Sequence, residues 1–284
     1  NRYRNTTNSF EGAHLQLAGG DAWRVRGFVV RPVERREIRR NERSHDQLFW
    51  GAAAESRALP WLQGELYYFG LEDDTSADRR LHTLGARGFR KPRAGQVDYE
   101  GEITGQLGRV QGRDQRAFAS HLALGYTAKL PWPPGPRAQP EHASGPDGVG
   151  GDGHSLNPLS APRRWDLTPT GIFGPFRRSN LLAPTLRLLA APTRTLAVEL
   201  KYGYWLLAQS KDAFSGSGLR DASGGAGGRL GEDPELRLPW GPRPLLGFEP
   251  APHPRVQGPY LARVPGAASA RDTDYLALAT MVRF

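Results

Sequence analysis

Apolar and polar residues alternate with a period of two along most of this chain. The C-terminal residues show the pattern clearly. One face of a predicted strand there holds Leu276, Leu278, Thr280 and Val282. Side chains of a β-strand point alternately to opposite faces, so the segment predicts a strand with one apolar and one mixed face. The chain then ends on an aromatic residue, Phe284.

Two interior segments repeat the pattern with a charged second face. Apolar side chains alternate with charged ones in residues 95–109 and 195–209. The charged positions are Asp98, Glu100, Glu102, Glu199 and Lys201. A strand of a transmembrane barrel contacts lipid with one face and the polar lumen with the other, which produces this alternation.

Short turns alternate with long loops along the chain. About thirteen short strands are predicted, and the long loops fall at about residues 34–45, 131–180, 210–231 and 250–271. Outer-membrane barrels have short periplasmic turns and long external loops, whereas sandwiches and propellers have more even ones. The sequence therefore predicts one all-β domain over residues 1–284, an antiparallel transmembrane β-barrel in the bacterial outer membrane.

Composition agrees with a barrel and narrows the choice of partners. Hydrophobic residues make up 38% of the chain, which suffices where one residue in two contacts lipid. The chain has no apolar run of about 18 residues, so no transmembrane helix is predicted. The net charge of +9 and the pI of about 10.1 predict an anionic partner. No nucleic acid is expected, because zinc spacings, recognition helices and aromatic-basic RNA motifs are lacking.

Catalytic and cofactor chemistry is not predicted. The seven histidines form no constellation with tyrosine or arginine that would indicate a lyase. Ser120 beside His121 does not establish a nucleophile and its base, since such partners must meet in space. The loop at residues 145–153 lacks the spaced carboxylates of an EF-hand, which leaves calcium binding there undecided. We expect no enzyme activity and no cofactor, and we assign no metal ligand.

The first residues, 1–7, are typical of an interior segment, since they include neither an initiator methionine nor a signal peptide. We expect the chain to lack the first strands of its barrel. An open sheet edge is not viable in lipid, so the 284 residues alone are expected to misfold.

Several motifs, in order along nearly the whole chain, resemble the alginate export family of outer-membrane porins. They are NSFEGAHLQL, DQLFWG, ELYYFGLEDD, RRLHTLGARGF, YEGEITGQLGR, LALGYT, the run ASG…GDG…NPL…RRWDLTPTGIFGPFRRSNLL, and DTDYLALATMVRF. The resemblance implies a monomeric antiparallel barrel of about 18 strands that exports or admits anionic polysaccharide or uronate. Its partners would be outer-membrane lipid and the barrel assembly machinery, which reads the C-terminal strand ending at Phe284.

Prolines depart from the family's pattern in two regions of the chain. They are Pro133, Pro134, Pro136 and Pro140, and later Pro242, Pro244, Pro250, Pro252 and Pro254. Proline has no N–H to donate to a β-ladder. The strands in these regions are therefore expected to be short and bulged, or the barrel to be damaged.

A pore for a polyanion needs lumen cations that attract carboxylates and release them again. Alternation directs five cations inward: Arg24, Arg26, Arg87, Lys201 and Arg283. The resemblance adds four arginines for a constriction: Arg163, Arg164, Arg177 and Arg178. Carboxylates expected on the same face are Glu65, Asp98, Glu100, Glu102 and Glu199. They would pair with the arginines and set pore width and gating, or simply neutralise them.

The function expected from these residues is passage of alginate-like anionic polysaccharide or uronate through an arginine-lined lumen. Two alternatives stay open. One is a general or small-anion porin on the same fold, because the pore lining decides the solute. The other is a soluble basic β-domain that binds acidic glycans or nucleic acid, which outer-membrane fractionation and heat-modifiable migration would distinguish.

Overall fold

The computed structural model of the chain describes residues 9–34, 38, 40–130, 134–144, 156–157, 159, 176, 179–214, 217–267 and 271–282. These residues form fifteen β-strands and one short helix. The strands are β1 (Phe10–Gly19), β2 (Trp23–Glu34), β3 (Glu42–Arg43), β4 (Gln47–Ser56), β5 (Gln63–Asp73), β6 (Arg79–Arg90), β7 (Gln96–Val110), β8 (Arg113–Thr127), β9 (Gly135–Ala143), β10 (Leu181–Ala190), β11 (Val198–Leu206), β12 (Arg229–Arg237), β13 (Trp240–Arg243), β14 (Leu246–Gln257) and β15 (Thr273–Val282). The helix is α1 (Pro259–Arg263), and no described helix is long and apolar enough to cross a membrane.

The strands form one antiparallel sheet in which sequence neighbours are also neighbours in space. The order runs β1-β2-β4-β5-β6-β7-β8-β9-β10-β11-β12-β14, with β3 beside β2 and both β13 and β15 beside β14. The longest ladder joins β7 to β8, from Gln96 opposite Thr127 to Val110 opposite Arg113. The predicted all-β antiparallel fold is confirmed, with fifteen strands in the described residues where about thirteen were predicted.

The two faces of the sheet reverse the distribution that a soluble protein shows. Large apolar side chains on one face are exposed, for example Leu84 at 66% and Leu276 at 71%. Polar side chains on the other face are buried, including Gln106 at 0% and Asp73 at 1%. We name these the outer face and the inner face. Apolar outside and polar inside is the arrangement of a transmembrane barrel wall, because lipid solvates the outer side.

The strands β1 and β15 are the two edges of this sheet. No pair between them occurs in the described part of the chain. Both edges leave backbone N–H and C=O groups without a neighbouring strand, and hydrocarbon offers such groups no partner.

Two loops predicted from their prolines contain regular structure, so their predicted bounds were wrong. The segment predicted as a loop over 131–180 contains β9, and the one over 250–271 contains the second half of β14 and helix α1. The short strand β3, inside the predicted loop 34–45, pairs antiparallel with the end of β2. The segment 210–231, by contrast, is irregular until β12 begins at Arg229.

The prolines of β14 are compatible with a strand because they alternate. Pro250, Pro252 and Pro254 all direct their nitrogen atoms toward the same neighbour. The carbonyl of Pro250 accepts a bond from the N–H of Leu238, 3.1 Å away, which identifies that neighbour as the β12 side. Toward β15, β14 keeps ten consecutive pairs, from Leu246 with Val282 to Arg255 with Thr273. The missing donors therefore weaken one ladder and leave the other intact.

Strand β9 follows the same rule. It pairs with β10 over nine consecutive residues, including Pro136 and Pro140. Its ladder with β8 is interrupted at Pro140, between the pairs Leu124–Ala138 and His121–Glu141. Strands β9 and β14 thus each retain one continuous ladder, so the expectation that the strands there would be short was wrong. Strand β13, which contains Pro242, is short as expected, and its ladder with β14 shifts register between Trp240 and Arg243.

Charge on the outer face is expected to prevent stable insertion. We predict that Leu122→Arg, on the exposed face of β8, destabilises the folded protein by about 2–4 kcal/mol near the bilayer midplane. Ala119→Arg, on the inner face of the same strand, is the matched control and should cost much less. Urea unfolding in lipid vesicles measures the free energy of unfolding of both variants. Equal losses for the two variants would contradict the assignment of the faces.

Proline position in β14 should matter more than proline number. We predict that Ala251→Pro, which removes a donor from the ladder to β15, lowers the free energy of unfolding by about 1–3 kcal/mol. Pro252→Ala should change it little, since its nitrogen faces the interrupted ladder. The folded fraction on unheated gels and urea titration report the difference. Tolerance of proline at 251 would contradict the proposed direction of the two ladders.

Candidate functional site

A row of ion pairs crosses the inner face from β2 to β9. Arg26 approaches Glu65 at 3.8 Å, and Glu65 lies 3.3 Å from Arg87. Arg87 contacts Glu100 at 2.6 Å, and Glu100 contacts Arg137 at 2.8 Å. Cations and carboxylates therefore alternate across five strands. We call this set the first ion-pair row.

Further pairs extend the first ion-pair row at both ends. Glu55 pairs with Arg26 and lies 3.9 Å from Arg24. Arg137 also lies 3.6 Å from Asp98. Glu102 has a different partner, because it accepts a hydrogen bond of 2.5 Å from the hydroxyl of Tyr67.

A second ion-pair row continues on β10 to β14. Arg187 lies 3.3 Å from Glu199, and Arg237 contacts Glu199 and Glu249 at 2.5 Å each. Lys201 lies 4.0 Å from Glu235. The two rows meet where Arg137 and Arg187 are directly opposite one another on β9 and β10.

The two rows differ in their access to water. The side chains of Arg26 and Arg87 are 37% and 32% exposed, whereas those of Arg187 and Arg237 are 8% and 7% exposed. A water-accessible pair contributes at most about 1 kcal/mol, while breaking a buried pair costs about 3–5 kcal/mol. A solute can therefore exchange partners with the first row far more easily than with the second.

A cavity of about 1030 Å³ lies against the inner face of β1 to β10. The first ion-pair row forms one part of its lining, through Arg26, Glu65, Arg87, Glu100 and Arg137. Aromatic rings form another part: Phe10, Phe28, Phe49, Tyr67 and Phe69. The size is sufficient for a small organic ligand, and the mixture of apolar walls with a few charged groups is typical of binding sites.

Gln106 anchors a distant segment of the chain to this inner face. Its amide nitrogen donates to the carbonyl of Asn157 at 3.0 Å, and its amide oxygen accepts from the N–H of Asn157 at 2.8 Å. The same nitrogen donates to Thr83 at 2.9 Å. Leu156 and Asn157 consequently line the cavity opposite the first ion-pair row.

An apolar cluster covers the inner face of the later strands. Phe176 stacks on Trp205 with ring centroids 4.3 Å apart, and Phe214 packs edge-on against Phe176 at 5.9 Å. Tyr260 of α1 joins the cluster and donates its hydroxyl to the carbonyl of Leu219 at 3.1 Å. This part of the inner face is filled by the protein's own side chains, so the open cavity lies at the earlier strands.

The loop over this cluster is ordered by Asp221. Its carboxylate accepts bonds from the hydroxyl of Ser223 at 2.6 Å and from the N–H of Ala226 at 2.6 Å. These bonds, led by the one from Ser223, lower the pKa of Asp221. The carboxylate therefore remains ionised and keeps the turn closed over the range in which free aspartate titrates.

The predicted site residues divide into two sets. On the inner face lie Arg24, Arg26, Glu65, Arg87, Asp98, Glu100, Glu102, Glu199 and Lys201. Outside the described residues lie Arg163, Arg164, Arg177, Arg178, Arg283, the terminal Phe284 and the loop 145–153. The described carboxylates pair with the arginines, apart from Glu102 on Tyr67. The role of all these predicted site residues in lining a pore stays a prediction.

Several inner-face arginines were missed in the sequence, and two of them, Arg137 and Arg187, line the cavity. Arg137 fell in a segment predicted as a loop because of its prolines. Arg187 was passed over within the apolar run 182–191, although its alternation with Leu186 and Leu188 was a usable signal. Within the described part of the chain, no group of three or more His, Asp or Glu side chains is arranged to hold a metal.

Comparison with known proteins adds a family and a fold. The model of the alginate export family matches residues 1–266 of this chain. A search of curated protein sequences found no match.

Similar solved structures are large bacterial proteins that the chain covers in part. Pseudomonas aeruginosa OccK11 (OpdR) aligns with a TM-score of 0.59 and 17% identity, over 100% of this chain and 73% of that one. Pseudomonas aeruginosa OccK5 (OpdH) aligns with a TM-score of 0.58 and 12% identity, over 97% of this chain and 71% of that one. Acinetobacter baumannii OccAB4 aligns with a TM-score of 0.55 and 14% identity, over 97% of this chain and 66% of that one. At such identities the likeness establishes the fold alone.

The anchoring role of Gln106 can be tested by an apolar replacement of similar size. We predict that Gln106→Leu leaves the N–H of Asn157 without its acceptor and weakens the attachment of residues 156–157 by about 1–3 kcal/mol. Limited proteolysis of the folded protein should then cut near these residues several times faster. Gln115→Leu, at another buried inner-face glutamine on the adjacent strand, is the control. Unchanged cleavage in Gln106→Leu would show that the anchor lies elsewhere.

Proposed function

Since the chain belongs to the alginate export family and is an outer-membrane porin rather than an enzyme, we propose that its lumen passes anionic polysaccharide or uronate. The proposal requires no catalytic group. It requires cations that a carboxylate can reach from the water of the lumen and leave again.

The observation that carries this proposal is that four arginines line one cavity on the inner face. They are Arg26, Arg87, Arg137 and Arg187. Arginine keeps its charge at any physiological pH and binds carboxylate through two parallel N–H donors. Arg26 and Arg87 are the most accessible of the four, so a carboxylate in the lumen reaches these two first.

The carboxylates of the first ion-pair row support passage rather than tight binding. Each accessible arginine already has a carboxylate partner, such as Glu65 for Arg87 at 3.3 Å. An entering uronate therefore exchanges with an existing pair and gains only the difference between the two interactions. Weak net attraction at several sites is what rapid passage requires.

The remaining partners follow from the same proposal. The apolar outer face would contact outer-membrane lipid, and the barrel assembly machinery would recognise the C-terminal strand that ends at Phe284. We propose that the porin acts as a monomer, since a single barrel encloses the whole path.

A general or small-anion porin is the second candidate. The pairing of each arginine in the first ion-pair row with a carboxylate favours it, because alternating signs suit small ions better than a long polyanion. The two candidates share the fold and differ in their response to chain length of the solute.

Single-channel recording in a planar bilayer tests both candidates. With a salt gradient and added oligouronates, we predict anion selectivity and block by uronate. Arg87→Gln should weaken the block by about tenfold, since a charge-assisted hydrogen bond contributes about 1.5–3 kcal/mol. Arg26→Gln should have a similar effect.

Arg80→Gln is the matched control for this experiment. Arg80 is on the same strand as Arg87, pairs with Asp74 and does not line the cavity. Its replacement should leave the block unchanged. Cation selectivity would overturn the proposal, and equal block by monomeric and oligomeric uronates would favour the small-anion porin.

A further inference from the structure

The inner face carries a strip of aromatic rings beside the first ion-pair row. We call Phe28, Phe49, Tyr67 and Phe69 the aromatic strip. Phe28 and Phe49 have ring centroids 5.1 Å apart, Phe49 and Phe69 are 5.9 Å apart, and Tyr67 stacks on Phe69 at 5.1 Å. The strip crosses β2, β4 and β5, and Phe10 of β1 extends it at 6.4 Å from Phe49.

Two glycines allow the rings of Tyr67 and Phe69 to lie against the backbone of the wall. A Cβ atom at Gly51 would come within 2.4 Å of the Phe69 ring, and one at Gly85 within 2.1 Å of the Tyr67 ring. Each glycine is the neighbour directly across the ladder from the aromatic residue that covers it. A ring with one face on the backbone turns its other face toward the cavity.

The aromatic strip is continuous with charged and hydroxyl groups. All of its members line the cavity that the arginines line. Tyr67 connects the two parts, since its hydroxyl donates to Glu102 and lies 2.6 Å from the hydroxyl of Thr104. Four adjacent aromatic rings on a polar wall form an apolar surface that is costly to expose to water, and such patches usually mark binding sites.

We propose that the aromatic strip binds the ring of a sugar acid by stacking on the apolar C–H face of a pyranose. The carboxylate of the sugar then reaches Arg26 or Arg87, and its hydroxyls donate to Glu65, Glu102 or Thr104. This inference rests on the proposed function and names the part of the solute that the porin recognises. An aromatic acid would stack equally well but has no hydroxyls to donate to the remaining lone pairs of these acceptors, so a hydroxylated ring makes more hydrogen bonds.

The test compares two acids of equal charge that differ in ring closure. Glucuronate presents a pyranose ring, whereas gluconate is an open chain with the same number of carbons. We expect glucuronate to block the wild-type channel at lower concentration than gluconate. In Phe28→Leu/Phe49→Leu the block by glucuronate should weaken by about tenfold, from two aromatic contacts. The block by gluconate should change by less than about twofold.

The choice of residues keeps folding and binding separate. Phe28 and Phe49 are replaced, and not Tyr67 or Phe69, because the latter two cover glycines and support the wall. Phe118→Leu on the outer face of β8 is the control, since its ring is exposed on the lipid side. Heat-modifiable migration confirms that each variant folds. If the double variant does not fold, Phe49→Leu alone is compared with the wild type, and its block by glucuronate should weaken by about threefold.

The outcomes distinguish this inference from the proposed function. Anion selectivity with equal block by the two acids, or with no change in the double variant, would overturn ring binding and leave the anion pore standing. Block by glucuronate that is lost only in Arg26→Gln or Arg87→Gln would do the same. A channel that selects cations would overturn both.

Discussion

The whole structure depends on the backbone hydrogen bonds between neighbouring strands. In hydrocarbon an unpaired N–H or C=O has no alternative partner, so a chain that spans the membrane as strands can leave few of these groups unpaired. This requirement explains why the sheet is a simple antiparallel meander, in which each strand is followed by its own neighbour. It also explains where the prolines lie, since each of them lacks a donor that the sheet would otherwise use.

The inner face holds many charged side chains in a confined space. Buried charges without partners are expensive, and alternation of sign across the strands removes most of that cost. The second ion-pair row is largely buried, and its Lys201 lies 5.7 Å from the centroid of the Trp205 ring. The first row stays in contact with water. The ion pairs that a solute can reach are thus the individually weak ones.

Alternation in the sequence was sufficient to predict the antiparallel sheet, its two faces and the inner position of residues such as Arg26 and Arg87. Cross-strand partners were not predictable, because register depends on turn geometry that composition does not reveal. Arg137 was lost because prolines were taken as the end of a strand. The period-two pattern of Arg137, Gln139, Glu141 and Ala143 was nevertheless present there. The covering of Gly51 and Gly85 by aromatic rings likewise needs three-dimensional neighbours.

The proline pattern of β14 divides the sheet into units of unequal cooperativity. Toward β12 the paired residues are Gly231 with Gln257 and Glu232 with Val256, while toward β15 the ladder is continuous. Local opening follows the ladder with fewest hydrogen bonds. We therefore expect the ladder between β14 and β15 to persist when the ladder between β12 and β14 opens.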